Sequence, residues 1–319
     1  MTAIDKKIDS GIFLTDGGLE TDLIFNKGID LPHFASFPLL EQQDGREILR
    51  NYYLEYMNLA FAQGAGFILE SPTWRANKDW AFKLGYDTSE LIRTNIKSIE
   101  FLKDLAGEYL NEIEPILISG QLGPRGDGYQ VEKAMSQEES RVYHKLQIDA
   151  FAQAGADMIS AITMTYSDEA LGIVLRAQEV KIPVVISFTV ETDGHLPSGE
   201  SLEHAIRKVD ELTNSYPLYY MINCAHPSHF IDQFEENTAW QDRIKGVRAN
   251  ASCKSHAELD ESTSIDKGDL AELGSWHVQL KEALPELRIY GGCCGTDVSH
   301  IESICQHVFN SSGEIQRAS

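Results

Sequence analysis

Eight short runs of apolar and β-branched residues recur along this chain of 319 residues, and they constrain the fold more than any other feature. The runs cover residues 12–15, 67–70, 116–119, 158–162, 184–189, 219–224, 246–249 and 288–290. Segments with helical periodicity alternate with them, at residues 47–63, 89–109, 137–153, 168–179, 202–212, 229–235 and 269–283, and a last helix follows Asp297. Strands that are apolar throughout are typical of a parallel sheet covered by helices.

Eight such strand–helix units predict a (β/α)8 TIM barrel, with a doubly wound open sheet as the structural alternative. Gly64 and Gly155 support the assignment, because each stands where a helix would end just before the next strand. We expect one domain over residues 1–319. Residues 251–267 are polar and poor in helix-forming pattern, so we predict a long loop after the seventh strand, at the catalytic end of the barrel.

The charge of the chain narrows the range of partners. A formal net charge of −22 would repel both nucleic acid and an anionic membrane surface, so neither is expected as a partner. The first ten residues lack the apolar stretch of a secretory signal, and no later stretch is as apolar as a membrane span. We therefore expect a cytoplasmic protein that acts on small molecules. The sequence leaves the oligomeric state open and is compatible with a homo-oligomer.

Three cysteines stand at predicted strand ends. Cys224 closes the sixth apolar run, and the doublet Cys293 and Cys294 follows the eighth between glycines. The carboxyl ends of barrel strands face one side, so these thiols can meet there. Three thiolates that leave a fourth position open are typical of a catalytic Zn²⁺ site. Cys253 and Cys305 have no motif around them and are interpreted as buried cysteines without a role, although Cys253 could approach the metal from the long loop.

Five motifs then give the chain a resemblance that spans nearly its whole length. They are residues 14–18 (LTDGG), 71–77 (SPTWRAN), 119–124 (SGQLGP), 222–224 (INC) and 291–294 (GGCC). With these motifs the chain resembles the homocysteine S-methyltransferases, a family that shares a homocysteine-binding barrel with betaine- and cobalamin-dependent methionine-forming enzymes. The resemblance implies that Cys224, Cys293 and Cys294 are the zinc ligands.

The resemblance also implies where the substrate would bind. The corner formed by Asp16, Gly17 and Gly18 would hold the amino-acid end of homocysteine. The Asp16 carboxylate would accept a hydrogen bond from the substrate ammonium group, and the glycines would let the substrate carboxylate approach backbone N–H groups. Ser71 matches a substrate-binding position, and Glu70 beside it is a second candidate partner for the amine. Read alone, Asp16 with its glycines could be a solvated turn, and Ser71 an ordinary residue at a strand end.

Two positions depart from the family pattern. Many members carry a glutamate that binds the homocysteine amine at the end of the fourth strand, where this chain has Ile162. Pro72 replaces an asparagine of the family in the loop after the second strand. Losing one charge-assisted hydrogen bond would cost an ammonium group about 1.5–3 kcal/mol. Either Glu70 or Asp16 compensates, or the thiol substrate is not homocysteine.

The activity implied by the resemblance is methyl transfer from a small donor to homocysteine, which forms methionine. S-methylmethionine or S-adenosylmethionine would be typical donors for a barrel without a cobalamin domain. The nucleophile would be the substrate thiol, activated by zinc, and no protein side chain would act as nucleophile. Three alternatives stay open: methylation of another thiol, a zinc–thiol binding or sensing protein without turnover, and redox-active cysteines in an unrelated barrel enzyme.

Overall fold

The computed structural model describes residues 3–109, 112–131, 133–234, 238–262 and 264–312. Eight parallel strands pair in chain order, and the eighth pairs with the first, so the sheet closes into a barrel. The strands are β1 (Phe13–Leu14), β2 (Gly66–Glu70), β3 (Ile116–Leu122), β4 (Met158–Met164), β5 (Val184–Phe188), β6 (Tyr220–Asn223), β7 (Ile244–Ala249) and β8 (Ile289–Gly292). The predicted (β/α)8 barrel is confirmed, and the open sheet is not formed.

In the described part of the chain the helices are α1 (Ala3–Ser10), α2 (Leu19–Thr21), α3 (Gln43–Gln63), α4 (Lys78–Lys83), α5 (Thr88–Gly107), α6 (Gln137–Ala154), α7 (Ser167–Val180), α8 (Leu202–Thr213), α9 (His256–Asp260), α10 (Leu270–Ala283) and α11 (Val298–Ser312). The longer helices cover the outside of the barrel, whereas α1 packs against the inner layer and α9 lies in the loop after β7. None of the helices in these ranges is long and apolar enough to cross a membrane.

The helix ends follow local chemistry. Gly64 ends α3 with a φ of 62°, and Gly155 ends α6 with a φ of 72°, a left-handed conformation that glycine adopts without a steric cost. At the start of α5, the Asp87 side chain accepts from the backbone N–H of Glu90, and the Glu90 carboxylate accepts from the backbone N–H of Asp87. Such a reciprocal cap satisfies two backbone donors that the helix itself leaves unpaired.

Two predicted segments differ from the structure. The helix predicted at residues 229–235 is a pair of short 3-10 turns, Pro227–His229 and Ile231–Phe234, and residue 235 lies outside the described residues. Phe230, between the two turns, has a φ of −136°, outside the helical range, so the turns do not join into one helix. The loop predicted at residues 251–267 contains α9, whose first turn is capped reciprocally by Ser255 and Glu258.

The core lies in two layers, one between the strands and the outer helices and one inside the barrel. The inner layer is formed mainly by Phe13, Ile68, Leu117, Met158, Val185, Met221 and Ile289, and Ile8 of α1 packs against it. The barrel is thus filled below its upper rim. Among the described residues of the barrel itself, space for a site remains at the carboxyl ends of the strands and the loops that follow them.

Candidate metal centre

Three thiols meet above the barrel at the ends of β6 and β8. The Sγ atoms of Cys224 and Cys293 lie 2.9 Å apart, and those of Cys224 and Cys294 lie 3.5 Å apart. All three sulfur atoms lie within 4.8 Å of one another, and within the described ranges no other group of this kind is found. The structure therefore brings the three predicted ligands to one point.

The backbone around Cys224 has an unusual conformation that aims its thiol at the doublet. Cys224 has a φ of 57°, in the left-handed region that costs a residue with a Cβ free energy. Its N–H donates to the carbonyl of Arg248 at 3.1 Å, and its own carbonyl accepts from Asn250 Nδ2 at 3.0 Å and from His256 Nε2 at 2.7 Å. These three hydrogen bonds hold the turn in its strained form.

The glycines around the doublet are required because neighbouring atoms lie too close for a Cβ. A Cβ on Gly291 would lie 1.9 Å from Thr15 Oγ1, and one on Gly292 would lie 2.0 Å from Thr296 Oγ1. A Cβ on Gly18 would lie 2.4 Å from the carbonyl oxygen of Cys293. A Cβ does not fit in these spaces without a shift of its neighbours, and at Gly18 the β1 corner packs directly against the backbone of the doublet.

The donor set fits zinc. Hydrogen bonding to Cys293 raises the pKa of the Cys224 thiol, and the contact with Cys224 lowers the pKa of Cys293. Three thiolates this close repel one another unless a cation lies between them. Sulfur ligands at this spacing suit a soft or borderline metal such as Zn²⁺, whereas Mg²⁺ and Ca²⁺ prefer oxygen.

Tyr129, in the loop after β3, contacts the same cluster. Its hydroxyl lies 3.3 Å from Cys224 Sγ and 3.4 Å from Cys294 Sγ. The ring stacks on His256 of α9, with centroids 4.1 Å apart, and His256 Nδ1 lies 3.1 Å from a carboxylate oxygen of Glu191. The loops after β3 and β7 therefore meet over the cysteines.

Asn223 links the end of β6 to that of β4. Its Oδ1 accepts from the N–H of Thr163 at 2.8 Å and from the Ser187 hydroxyl at 2.7 Å. Its Nδ2 donates to Thr163 Oγ1 at 2.9 Å and lies 3.7 Å from Cys293 Sγ. Thr163 has a φ of 62°, a rare conformation for a β-branched residue, and Asn223 holds it there.

A cavity of about 350 Å³ opens beside the thiols, and the predicted substrate residues divide around it. Asp16, Gly17 and Gly18 line the cavity together with the three cysteines. Glu70 and Ser71 are buried beneath its wall, 2% and 1% exposed, and do not line it. The corner after β1 is therefore open to a ligand in this structure, and the end of β2 is not.

Arg248 on β7 is buried at the base of the cavity between two carboxylates. Its Nη2 lies 2.6 Å from Asp16 Oδ1, and its Nη1 bonds Glu70 Oε2. Tyr52 donates to the other oxygen of Asp16 at 3.1 Å. Burial raises the pKa of Asp16 to about 7, although the positive charge of Arg248 opposes the shift.

Glu70 and Ser71 both hold Gln121, near the end of β3. Gln121 Nε2 donates to Glu70 Oε2 at 2.8 Å, and the Gln121 backbone N–H donates to Ser71 Oγ at 2.9 Å. The Gln121 carbonyl accepts from Thr73 Oγ1 at 2.7 Å. The polar residues after β2 thus fix the one amide side chain of this strand that lines the cavity.

The two positions that depart from the family pattern have different surroundings. Ile162 lines the cavity and is 6% exposed, so it presents an apolar surface there. Pro72 does not line the cavity, and its carbonyl accepts from the Ser36 hydroxyl at 3.2 Å.

The outer part of the cavity is aromatic and acidic. Phe25, Phe34 and Trp74 contribute rings, and the carboxylates of Glu20, Asp127 and Asp266 line the same space. The guanidinium of Arg75 lies over the rings of Trp74, Trp80 and Phe34, at 5.0, 4.1 and 5.6 Å from their centroids. The guanidinium thus already covers these rings, but the three carboxylates exceed its one positive charge, so the net charge of this surface suits a cationic ligand.

Cys305 is buried as predicted, but the predicted burial of Cys253 is wrong: it lies exposed in the loop after β7. Neither cysteine joins the thiol cluster. Arg248, Gln121 and Tyr129 also lie at this site, although no role is predicted for them from the sequence. Arg248 and Gln121 could have been found from the sequence, because a charged or amide side chain in an otherwise apolar strand must find polar partners. Tyr129 lies in a loop whose path the sequence does not indicate.

Comparison with known proteins gives a consistent result. The family described as Homocysteine S-methyltransferase matches residues 13–308. Homocysteine S-methyltransferase 1 of Arabidopsis thaliana is 23% identical, over 92% of this chain and 92% of its own length. Homocysteine S-methyltransferase of Escherichia coli K12 is 25% identical, over 92% of this chain and 94% of its own length. The crystal structure of the metallated form of homocysteine methyltransferase MmuM from Escherichia coli has the same fold, with a TM-score of 0.72, 21% identity, and coverage of 95% of this chain and 98% of that one.

Proposed function

Because the chain belongs to the homocysteine S-methyltransferase family, we propose that it is a zinc-dependent enzyme that methylates homocysteine to form methionine. The methyl donor would be S-methylmethionine or S-adenosylmethionine. One observation supports the proposal most strongly: the three thiols of Cys224, Cys293 and Cys294 converge beside a cavity large enough for a small substrate.

In this proposal Cys224, Cys293 and Cys294 hold the zinc ion. When bound, zinc would lower the pKa of the substrate thiol and so supply a thiolate at neutral pH. The strained turn at Cys224 and the glycines around the doublet keep the three ligands in place before any metal binds. Tyr129 limits the access of water to this end of the cavity by closing over two of the thiols.

The polar end of homocysteine would bind at the corner formed by Asp16, Gly17 and Gly18, which lines the cavity beside the thiols. Glu70 and Ser71 would act on the substrate from behind the wall, through the residues that they hold. Asp16 and Glu70 carry two negative charges when ionised, and Arg248 balances one, so a net negative charge remains to attract the ammonium group.

The outer part of the cavity supports a donor that carries a sulfonium group. Such a cation is stabilised by nearby carboxylates, and those of Glu20, Asp127 and Asp266 outnumber the single guanidinium of Arg75 on this part of the lining. In the transfer step the substrate sulfur attacks the methyl carbon from the side opposite the donor sulfur. The bond to the donor sulfur breaks as the new carbon–sulfur bond forms, and the donor leaves as a neutral thioether.

The test is a methyl-transfer assay on zinc-loaded protein, with homocysteine and each sulfonium donor in turn and methionine measured by mass spectrometry. We expect the wild-type protein and Cys253→Ala to form methionine, because Cys253 lies outside the cluster. Cys294→Ala should lose activity. Absence of methionine with both donors in the wild-type protein would contradict the proposal.

Ile162 favours a second candidate, in which the same site methylates a different thiol. An apolar side chain at this place in the cavity provides no charged partner for an amine. A competition between homocysteine and thiols without an amino group, in the same assay, separates the two candidates. Preferred methylation of the thiol without the amine would support the second.

A further inference from the structure

Hydrogen bonds fix both the backbone and the side chain of Gln121. Its backbone N–H donates to Ser71 Oγ at 2.9 Å, and its carbonyl accepts from Thr73 Oγ1 at 2.7 Å. Its side-chain Nε2 donates to Glu70 Oε2 at 2.8 Å. Both the backbone and the amide of Gln121 are therefore fixed by residues that themselves do not reach the cavity, and Gln121 does reach it.

The contact with Glu70 determines which way the amide faces. The carboxylate oxygen also bonds Arg248, and it can only accept. Gln121 must therefore present its NH2 group to Glu70 and turn its carbonyl oxygen the other way. Oε1 has no hydrogen-bond partner among the residues that the structure describes, and it is not one of the fully enclosed polar atoms, so it opens to the cavity.

The oxygens of the neighbouring carboxylates already have hydrogen-bond partners within the protein. One oxygen of Asp16 pairs with Arg248 and the other accepts from Tyr52. Glu70 is shielded from the cavity, and Ile162, close to Gln121 across the pairing of β3 with β4, is apolar. The Gln121 oxygen is left as an acceptor with free capacity in a region of net negative charge.

We infer that Gln121 determines specificity for an amino-bearing thiol by accepting a hydrogen bond from the α-ammonium group of the substrate. Glu70 and Ser71 are positioning residues that fix the amide, and Arg248 neutralises Glu70. The inference rests on the proposed function and names the residue by which its site selects the substrate class. It also accounts for an apolar Ile162, because the acceptor comes from the neighbouring strand.

The test compares two thiols that differ only in the amine, homocysteine and 4-sulfanylbutanoate. Their dissociation constants are measured by calorimetry on zinc-loaded wild-type protein and on Gln121→Met, which keeps the length of the side chain and removes the acceptor. We expect homocysteine to bind about tenfold to a hundredfold more weakly to the variant, as for a lost hydrogen bond to a charged group. Binding of 4-sulfanylbutanoate should change less than about threefold, because it makes no such bond.

The zinc content and the melting temperature of Gln121→Met are measured together with the affinities. If Gln121→Met does not fold, Gln121→Leu is used in its place. Unchanged binding of homocysteine would overturn the inference. Equal weakening for both thiols would also overturn it, since that result describes a purely structural residue. If the wild-type protein binds neither thiol, the proposed function itself fails, which is a distinct outcome from loss of discrimination in the variant.

Discussion

Replacement of Arg248 by methionine tests whether the buried charges at the base of the cavity depend on one another. The side chains of Arg248, Asp16 and Glu70 are 4%, 5% and 1% exposed. Removing the guanidinium leaves two carboxylates side by side with little access to water. Breaking a buried ion pair by deleting one partner costs about 3–5 kcal/mol of unfolding free energy, and we expect a loss of that size at pH 8.

The pH dependence of the loss follows from Asp16. Burial raises the pKa of this carboxyl from 3.8 to about 7 in the folded protein, against the opposing effect of Arg248. A raised carboxyl pKa favours the protonated folded state, so this group lowers stability as the pH rises from about 4 to about 7 and has no further effect above that range. Without Arg248 the pKa rises further, and the stability of the variant keeps falling above pH 7.

Urea unfolding of the wild-type protein and of Arg248→Met at pH 6 and pH 8.5 measures both effects. The stability difference should widen by about 1 kcal/mol between the two pH values, which corresponds to roughly one unit of additional pKa shift. Arg50→Met is the matched control, because Arg50 pairs with Glu108 at 2.7 Å on the surface, with side chains 32% and 49% exposed. That variant should lose no more than about 1 kcal/mol. Equal losses in the two variants, or a difference that does not change with pH, would refute the reasoning.

Three further variants have defined outcomes. Gly18→Ala places a Cβ 2.4 Å from the carbonyl oxygen of Cys293, so zinc affinity in a chelator competition should fall about tenfold or more, whereas Gly11→Ala, with open space around it, should bind zinc as the wild type does. Asn223→Ala leaves a buried backbone N–H without its acceptor and should lower the unfolding free energy in urea by about 1–3 kcal/mol. Asp87→Ala removes the cap of α5 and should cost about 1 kcal/mol in the same measurement, with zinc content unchanged.

The barrel could be predicted because each strand is an apolar run between glycine-rich or polar turns. The exact ends of the strands follow less closely from the sequence. For example, β7 begins at Ile244, two residues before the predicted run, because Ile244 pairs with Tyr220 of β6. Residues 229–234 have the apolar spacing of a helix, but the φ of −136° at Phe230 separates them into two 3-10 turns. Tertiary pairing, which a local pattern does not contain, decides such boundaries.

The convergence of the three thiols could also be predicted, because strand topology alone brings the ends of β6 and β8 to one side. The polar end of the site could not. Arg248 pairs with residues 178 and 232 positions away along the chain, and only the closed barrel makes them neighbours. Glu70 and Ser71 lie close to the cavity, as expected, but in the structure both side chains bond to Gln121. Their direct contact with a substrate stays a prediction.

Metal analysis of the purified protein tests the central claim most directly. The wild-type protein and Cys253→Ala, loaded with zinc and then desalted, should each retain one zinc ion per chain, because Cys253 lies outside the cluster. Cys294→Ala should retain far less than one, since two thiols with no third protein ligand hold the ion weakly. Full zinc occupancy in Cys294→Ala, or an absence of bound zinc in the wild-type protein, would contradict the three-thiolate site.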